Sequence, residues 1–181
     1  MNDPTFDVYQ KLYQLSGGVD LSEIMGVGAT TLLTLLAEVG VDDLAKHFPS
    51  GKHFSSWLSL TPNRKVSGGR VLSSAVPKSR NPLRQMLQSA ANAIGNSTKP
   101  SALRSFFRKK MQQKGRKVAI MATARKLSII IYNMITKQQP YQPIPDEKYQ
   151  KMQKENIIRK TRKKFKELGI SNQELRQILD T

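Results

Sequence analysis

Cysteine is absent from the 181 residues. That excludes a disulfide framework, a thiolate metal site and thiol redox chemistry, and it fits a reducing compartment. Tryptophan occurs once and histidine twice, as His47 and His53. Long apolar runs are also missing. The N-terminus (MNDPTFDVYQ) has no basic segment leading into an apolar one, and the most apolar stretch, 118–135, is broken by Arg125 and Lys126, so neither secretion nor membrane spanning is expected. The most informative absence concerns acid. From Thr61 to Pro145, 85 residues, there is no Asp or Glu, against seventeen Lys and Arg.

A stretch without carboxylates forms no ion pairs of its own, so its cations face water, other segments or phosphates. It also cannot by itself hold Mg²⁺, which takes carboxylate oxygens. Residues 1–60 are mildly acidic, with three basic residues against seven acidic, and 146–181 carry ten basic and six acidic; the whole chain stands at +17. Such an excess points to a polyanion, and nucleic acid is the expected partner. The length suits one domain with an appendage. A reducing cytoplasm is the expected setting.

Nearly every segment reads as helix, and no strand-like alternation is evident. Asp3 as N-cap and Pro4 open a leading helix within 1–18, with Phe6, Tyr9, Leu12 and Tyr13 on one face and a stop at Gly17-Gly18. Leu32, Leu33, Leu35, Leu36 and Val39 form an apolar helix ending at Gly40, and 42–48 a short turn before Pro49. Phe54, Trp57, Leu58 and Leu60 supply core. Asn81-Pro82 cap a helix whose Leu83, Met86, Leu87, Ala90, Ala91 and Ile94 keep the i, i+3, i+4, i+7 spacing. Helices from Ser101 to Gln113 and from Lys117 to Lys137 follow, parted by Gly115. Three prolines in 138–145 mark a linker, and 146–181 form a charged helical tail ending in a capping box, SNQE at 171–174. The expected fold is all-α: a compact helical domain over 19–137 with a helical C-terminal tail.

Two constellations carry chemistry. Leu21 to Ala29 (LSEIMGVGA) with the following helix reads as a helix-hairpin-helix-like element over 20–39, in which Gly26 and Gly28 let backbone amides approach a phosphate. An ordinary tight helix–helix turn explains the same residues. The second is the cationic loop of 61–80, within Leu60 to Arg80 (LTPNRKVSGGRVLSSAVPKSR). There Ser67 precedes Gly68 and Gly69, so its hydroxyl is open to a phosphodiester and Arg64, Lys65, Arg70, Lys78, Arg80 and the nearby Arg84 supply positive charge. A flexible turn is the bland account of the same triplet, and Ser73, Ser74 and Ser79 are further hydroxyls. His47 and His53 sit beside Phe48 and Phe54 and suit structural roles. The Phe106-Phe107 pair before Arg108, Lys109 and Lys110 reads as core with a solvated basic edge, or as a stacking platform for bases.

The succession DPTF (3–6), GVG (26–28), AEVG (37–40), FPS (48–50), KHFSSWL (52–58), LTPN (60–63), SGGRVLS (67–73) and ATARKL (122–127) resembles the C-terminal transposase domain of the insertion sequence 110 family over about residues 1–137. The resemblance implies a domain that cleaves and rejoins DNA through a phosphoserine link, with Ser67 at the nucleophile's position. In that family the domain follows a RuvC-like half whose acidic residues bind metal, and characterised relatives are guided by a structured RNA. No such acidic constellation is evident here. The chain itself is therefore expected to carry no cofactor, Mg²⁺ belonging to the missing RuvC-like half, supplied in trans or lost by truncation. DNA, a structured guide RNA and homo-oligomerisation of the full-length protein are the partners implied. A non-catalytic nucleic-acid-binding module acting on transposon ends or guide RNA is the alternative.

Overall fold

A computed structural model of the chain describes residues 7–40, 44–63, 65–73, 75–170 and 174, apart from the side chains of Lys65 and Val71. It divides into two units, Met1–Gln142 and Pro143–Thr181. The fold is all-α but for one short hairpin. In order come α1 (Val8–Leu15), a 3₁₀ turn (Leu21–Glu23), α2 (Ala29–Glu38), α3 (Leu44–His47), α4 (Gly51–Trp57), β1 (Lys65–Ser67), β2 (Arg70–Ser73), α5 (Pro82–Asn96), α6 (Ala102–Lys114), α7 (Arg116–Lys137) and α8 (Asp146–Glu167).

The first unit is built around α7, which packs against α4, α5 and α6. This helix is long and apolar enough to cross a bilayer, yet half of its apolar window is buried inside the unit, including Ala124, Leu127, Ile131 and Ile135. On α5 the apolar spacing is realised as expected: Leu83, Leu87, Ala90, Ala91 and Ile94 are buried, Asn81 caps the helix by accepting the Arg84 amide at 2.9 Å, and Pro82 occupies the first turn. Close approach of α5 and α6 depends on Gly95. A methyl there would stand 2.5 Å from Cζ of the fully buried Phe107. Tyr132 of α7 donates to the Phe48 carbonyl at 2.6 Å, tying α7 to the segment before α4.

Several local expectations are corrected. Asp7, not Asp3, caps α1, accepting the amides of Tyr9 (2.9 Å) and Gln10 (3.1 Å); Asp3, Pro4 and Phe6 lie outside the described residues. The inward face of α1 is Val8 and Leu12, while Tyr9 and Tyr13 are exposed. Trp57 is not core. It is 42 % exposed at the rim, its ring centroid 5.4 Å from that of Phe48 and stacked on Phe54 at 6.2 Å. Of the tail, α8 runs to Glu167 and Gly169 follows at φ 73°; apart from Glu174, the residues of the capping box fall outside the described residues.

The hairpin is the largest departure. Lys-Val-Ser and Arg-Val-Leu-Ser are joined by two glycines with φ of 54° and 74°, the positive values at both turn positions that a type I′ connection demands. Two short runs separated by Gly-Gly are a hairpin signal in sequence. The helical surroundings and the brevity of the strands hid it.

Candidate functional site

The hairpin presents Ser67. Its two strands pair antiparallel, with Ser67 directly opposite Arg70, Val66 opposite Val71 and Lys65 opposite Ser73. Opposed residues on an antiparallel pair carry their Cβ atoms within about 5.5 Å of each other, so the exposed serine and the exposed arginine share one small patch at the ribbon's end. Among the described residues, no atom lies within 4 Å of where a Cβ on Gly68 or Gly69 would sit. Their requirement for glycine is therefore conformational, and the space just beyond the two glycines is open.

Two other hydroxyls of the loop are occupied locally. Ser73 accepts the Ala75 amide at 3.3 Å and Ser79 the Asn81 amide at 3.2 Å, turns that serine makes with its own backbone. Among the described residues the Ser67 hydroxyl has no hydrogen-bond partner. Ser74 and Arg64 lie outside the described residues, and Lys65 is placed by its backbone alone, at the start of β1.

The base of the ribbon is fixed at several points. The Asn63 amide donates to the Ala75 carbonyl at 3.0 Å. Arg84 then holds the segment returning from the ribbon: its Nη1 donates to the Pro77 carbonyl at 2.7 Å. This side chain is only 7 % exposed, and burial pulls its guanidinium pKa down from the usual value. Gln85 reaches the Arg80 carbonyl at 3.5 Å, and Asn81 reaches Glu38 of α2 at 3.4 Å. Lys78 and Arg80 remain exposed on this return segment. The structure thus gathers Ser67, Gly68, Gly69 and Arg70 at the ribbon's end, spaces Lys78 and Arg80 along the return, and turns Arg84 inward.

The two earlier glycines separate in role. Gly26 has φ 82°, and a Cβ on it would stand 2.8 Å from the Ala90 carbonyl oxygen of α5. This glycine lets the turn pack on α5. Gly28 caps α2 in an extended conformation with no side-chain cap, and a Cβ there would meet nothing within 4 Å. The segment before the turn is a single 3₁₀ turn, Leu21–Glu23, capped by Asp20.

A second cationic region, of which the sequence singles out only Phe106 to Lys110, surrounds the α6–α7 turn. Arg108, Lys109, Lys110, Lys114, Arg116 and Lys117 fall within ten residues. Arg116 is anchored by Asn92 (2.7 Å) and Asn96 (2.6 Å) of α5 and lies over Phe107. The two adjacent phenylalanines divide: Phe107 is core, while half-buried Phe106 carries the Lys126 ammonium 4.7 Å and the Lys110 ammonium 5.9 Å from its ring centroid. Burial lowers the Lys126 pKa. His53 shares a 2.8 Å hydrogen bond with Ser50, the cap of α4, and the His47 ring stands 6.4 Å from that of Phe48.

Comparison with known proteins adds to this geometry. Residues 20–119 match the model of the Transposase IS116/IS110/IS902 family. The chain is also similar to the pilin gene-inverting proteins of Moraxella bovis and Moraxella lacunata. Each is 33 % identical over 125 residues, 67 % of this chain and 37 % of the relative. The chain thus spans a little over a third of the length of these relatives.

Proposed function

The chain belongs to the IS116/IS110/IS902 family of transposases, and we propose that it is the serine-bearing, DNA-engaging part of a recombination enzyme, acting through Ser67. The observation that carries this reading is the presentation of Ser67: exposed, engaged by no hydrogen bond among the described residues, opposite Arg70, beside two glycines with open space around them. The likeness to pilin gene-inverting proteins supports strand exchange as the outcome.

In this mechanism Ser67 Oγ attacks a backbone phosphorus. A new O–P bond forms, the bond from phosphorus to one deoxyribose oxygen breaks, and the serine proton passes to a base while the leaving oxygen gains one. Attack by a deoxyribose hydroxyl of another strand reverses these steps and frees the serine. Charge on the pentavalent phosphorane is met by Arg70, aided by Lys65 at the start of β1 and by Arg64, which precedes it in sequence. Lys78 and Arg80 track the neighbouring phosphates. Arg84, by contrast, is a positioning residue that fixes the ribbon through Pro77. Gly28, with the uncapped first turn of α2, offers amides to a phosphate elsewhere on the strand; Gly26 supports that turn from beneath.

A serine hydroxyl needs activation, and 61–145 hold no carboxylate to provide a base or to bind Mg²⁺. Among the described residues no three His, Asp or Glu converge. The residues around Ser67 therefore do not suit a divalent cation. We assign base and metal to a second, RuvC-like domain acting with this one, in an assembly that also takes up a structured guide RNA and further copies of the protein.

The test is covalent capture. With that second domain, Mg²⁺, guide and target present, the chain is expected to form a protein–DNA adduct; Ser67→Ala abolishes it and Ser73→Ala keeps it. Salt-dependent DNA binding should persist in both variants, since one hydroxyl contributes little beside many phosphate contacts. An adduct surviving Ser67→Ala overturns the assignment, and binding without any adduct in the native chain favours a purely binding module.

A further inference from the structure

The ribbon carries apolar as well as cationic residues. Val66 is 51 % exposed and Leu72 70 %, the highest exposure of any large hydrophobic side chain among the described residues. A single exposed leucine on a protein surface means little. Leu72 differs by position. Lys65 pairs with Ser73 and Val66 with Val71, so Leu72 faces no residue on the partner strand. An unopposed strand residue of this kind is a β-bulge, a device that re-aims a side chain. Each strand finds its main packing partner in the other, and no helix packs closely on the ribbon among the described residues.

We propose that Leu72, supported by Val66, is a wedge that enters duplex DNA and unstacks a base step beside the phosphodiester held at Ser67. The inference rests on the DNA reading above and deepens it. Charge selects the occupant: along the chain Leu72 lies between exposed Arg70 and exposed Lys78 and Arg80, in a stretch with no carboxylate from 61 to 145. An apolar tip in a segment whose own charged residues are all cations suits a polyanion with an apolar interior, which is what stacked bases inside a phosphate backbone provide. Leucine is among the residues that proteins insert between base steps, while cations beside the wedge grip the adjacent phosphates.

Spacing fixes where the disturbance falls. Leu72 stands two residues along the strand from Arg70, about 7 Å at roughly 3.3 Å per residue. Bases along one strand rise about 3.4 Å each, so the unstacked step lies about two base pairs from the phosphate between Ser67 and Arg70. Opening the duplex there makes the backbone flexible where it must adopt the geometry of in-line attack. Pyrimidine–purine steps, which kink most easily, are the expected preference.

The experiment uses the 181-residue chain and short duplexes carrying 2-aminopurine beside a central TA step, with fluorescence reporting unstacking and anisotropy of the same duplex reporting binding. The native chain should raise the fluorescence several-fold. Leu72→Ala should return it to nearly the free-duplex level while changing the dissociation constant by less than about threefold, because phosphate contacts dominate affinity; Leu72→Met should keep the rise. Binding without a rise, or a rise that survives Leu72→Ala, overturns the wedge and leaves the DNA reading intact. A change in sedimentation of the free protein on Leu72→Ala, with the rise unaltered, overturns it in favour of a contact between copies. Absence of duplex binding in the native chain removes the DNA reading and the wedge with it.

Discussion

Replacing Gly26 and Gly28 by alanine, one at a time, separates packing from phosphate approach in the turn before α2. For Gly26 two costs add. Alanine at φ 82° pays about 1–2 kcal/mol for the left-handed conformation, and the new methyl, 2.8 Å from the Ala90 carbonyl oxygen, pushes on helix backbone that cannot swing aside, a strain of about 1–3 kcal/mol. Together they come to roughly 2–5 kcal/mol; at about 2–4 °C per kcal/mol for a chain of this size, Tm should fall by about 10 °C. For Gly28 neither cost applies. Its φ is −112°, and the methyl would meet nothing within 4 Å, leaving only the weaker capping preference of alanine, about 0.5 kcal/mol and thus about 1–2 °C.

The assay pairs thermal unfolding followed by helical circular dichroism with DNA binding across about 50–200 mM salt. Gly26→Ala should melt early and, well below its Tm, bind DNA nearly as the native chain does. Gly28→Ala should melt normally and bind more weakly, because a methyl now stands at the mouth of the uncapped turn. A Gly26→Ala protein that melts within about 2 °C of native but loses DNA affinity would refute the packing argument.

Two further outcomes are expected. Tyr132→Phe removes the donor to the Phe48 carbonyl in a buried position and should cost about 1–2 kcal/mol, read as a Tm lower by roughly 3–6 °C; an unchanged Tm would show that the bond contributes nothing net. Arg84→Met keeps the packed stem and removes the donor to Pro77: DNA affinity should hold while the rate of adduct formation falls at least tenfold, since small displacements of a nucleophile are costly. An affinity loss as large as that of Arg70→Met would mean instead that Arg84 meets DNA directly.

What could be read in the sequence was whatever periodicity and composition govern directly. The apolar spacing of α5 and the caps at Asn81 and Gly115 are local properties, so helix existence and ends followed within a residue or so. The first turn of α1 did not, because Asp3 and Asp7 are both competent caps and nothing local chooses between them. Tyr9 and Trp57 were misplaced for a different reason. An amphipathic stripe says which residues share a face, but not how far the neighbouring helix extends to cover its edge.

Arg84 shows what composition conceals and periodicity recovers. Counted as one of seventeen cations in an acid-free stretch, it is simply a phosphate ligand. Counted along α5, it falls three residues before Leu87 and seven before Ala91, on the stripe that faces the core. A guanidinium in that position must find an internal acceptor, because an unpaired buried charge is prohibitively costly, and with no carboxylate between 61 and 145 the available acceptors there are chiefly backbone carbonyls. One belonging to a residue without an amide hydrogen, Pro77 on the return from the ribbon, receives it. The same two rules, applied to Leu72, run in the opposite direction: an apolar side chain that no helix among the described residues covers, in a stretch whose own charged residues are all cations, is placed for something that arrives carrying negative charge outside and apolar surface within.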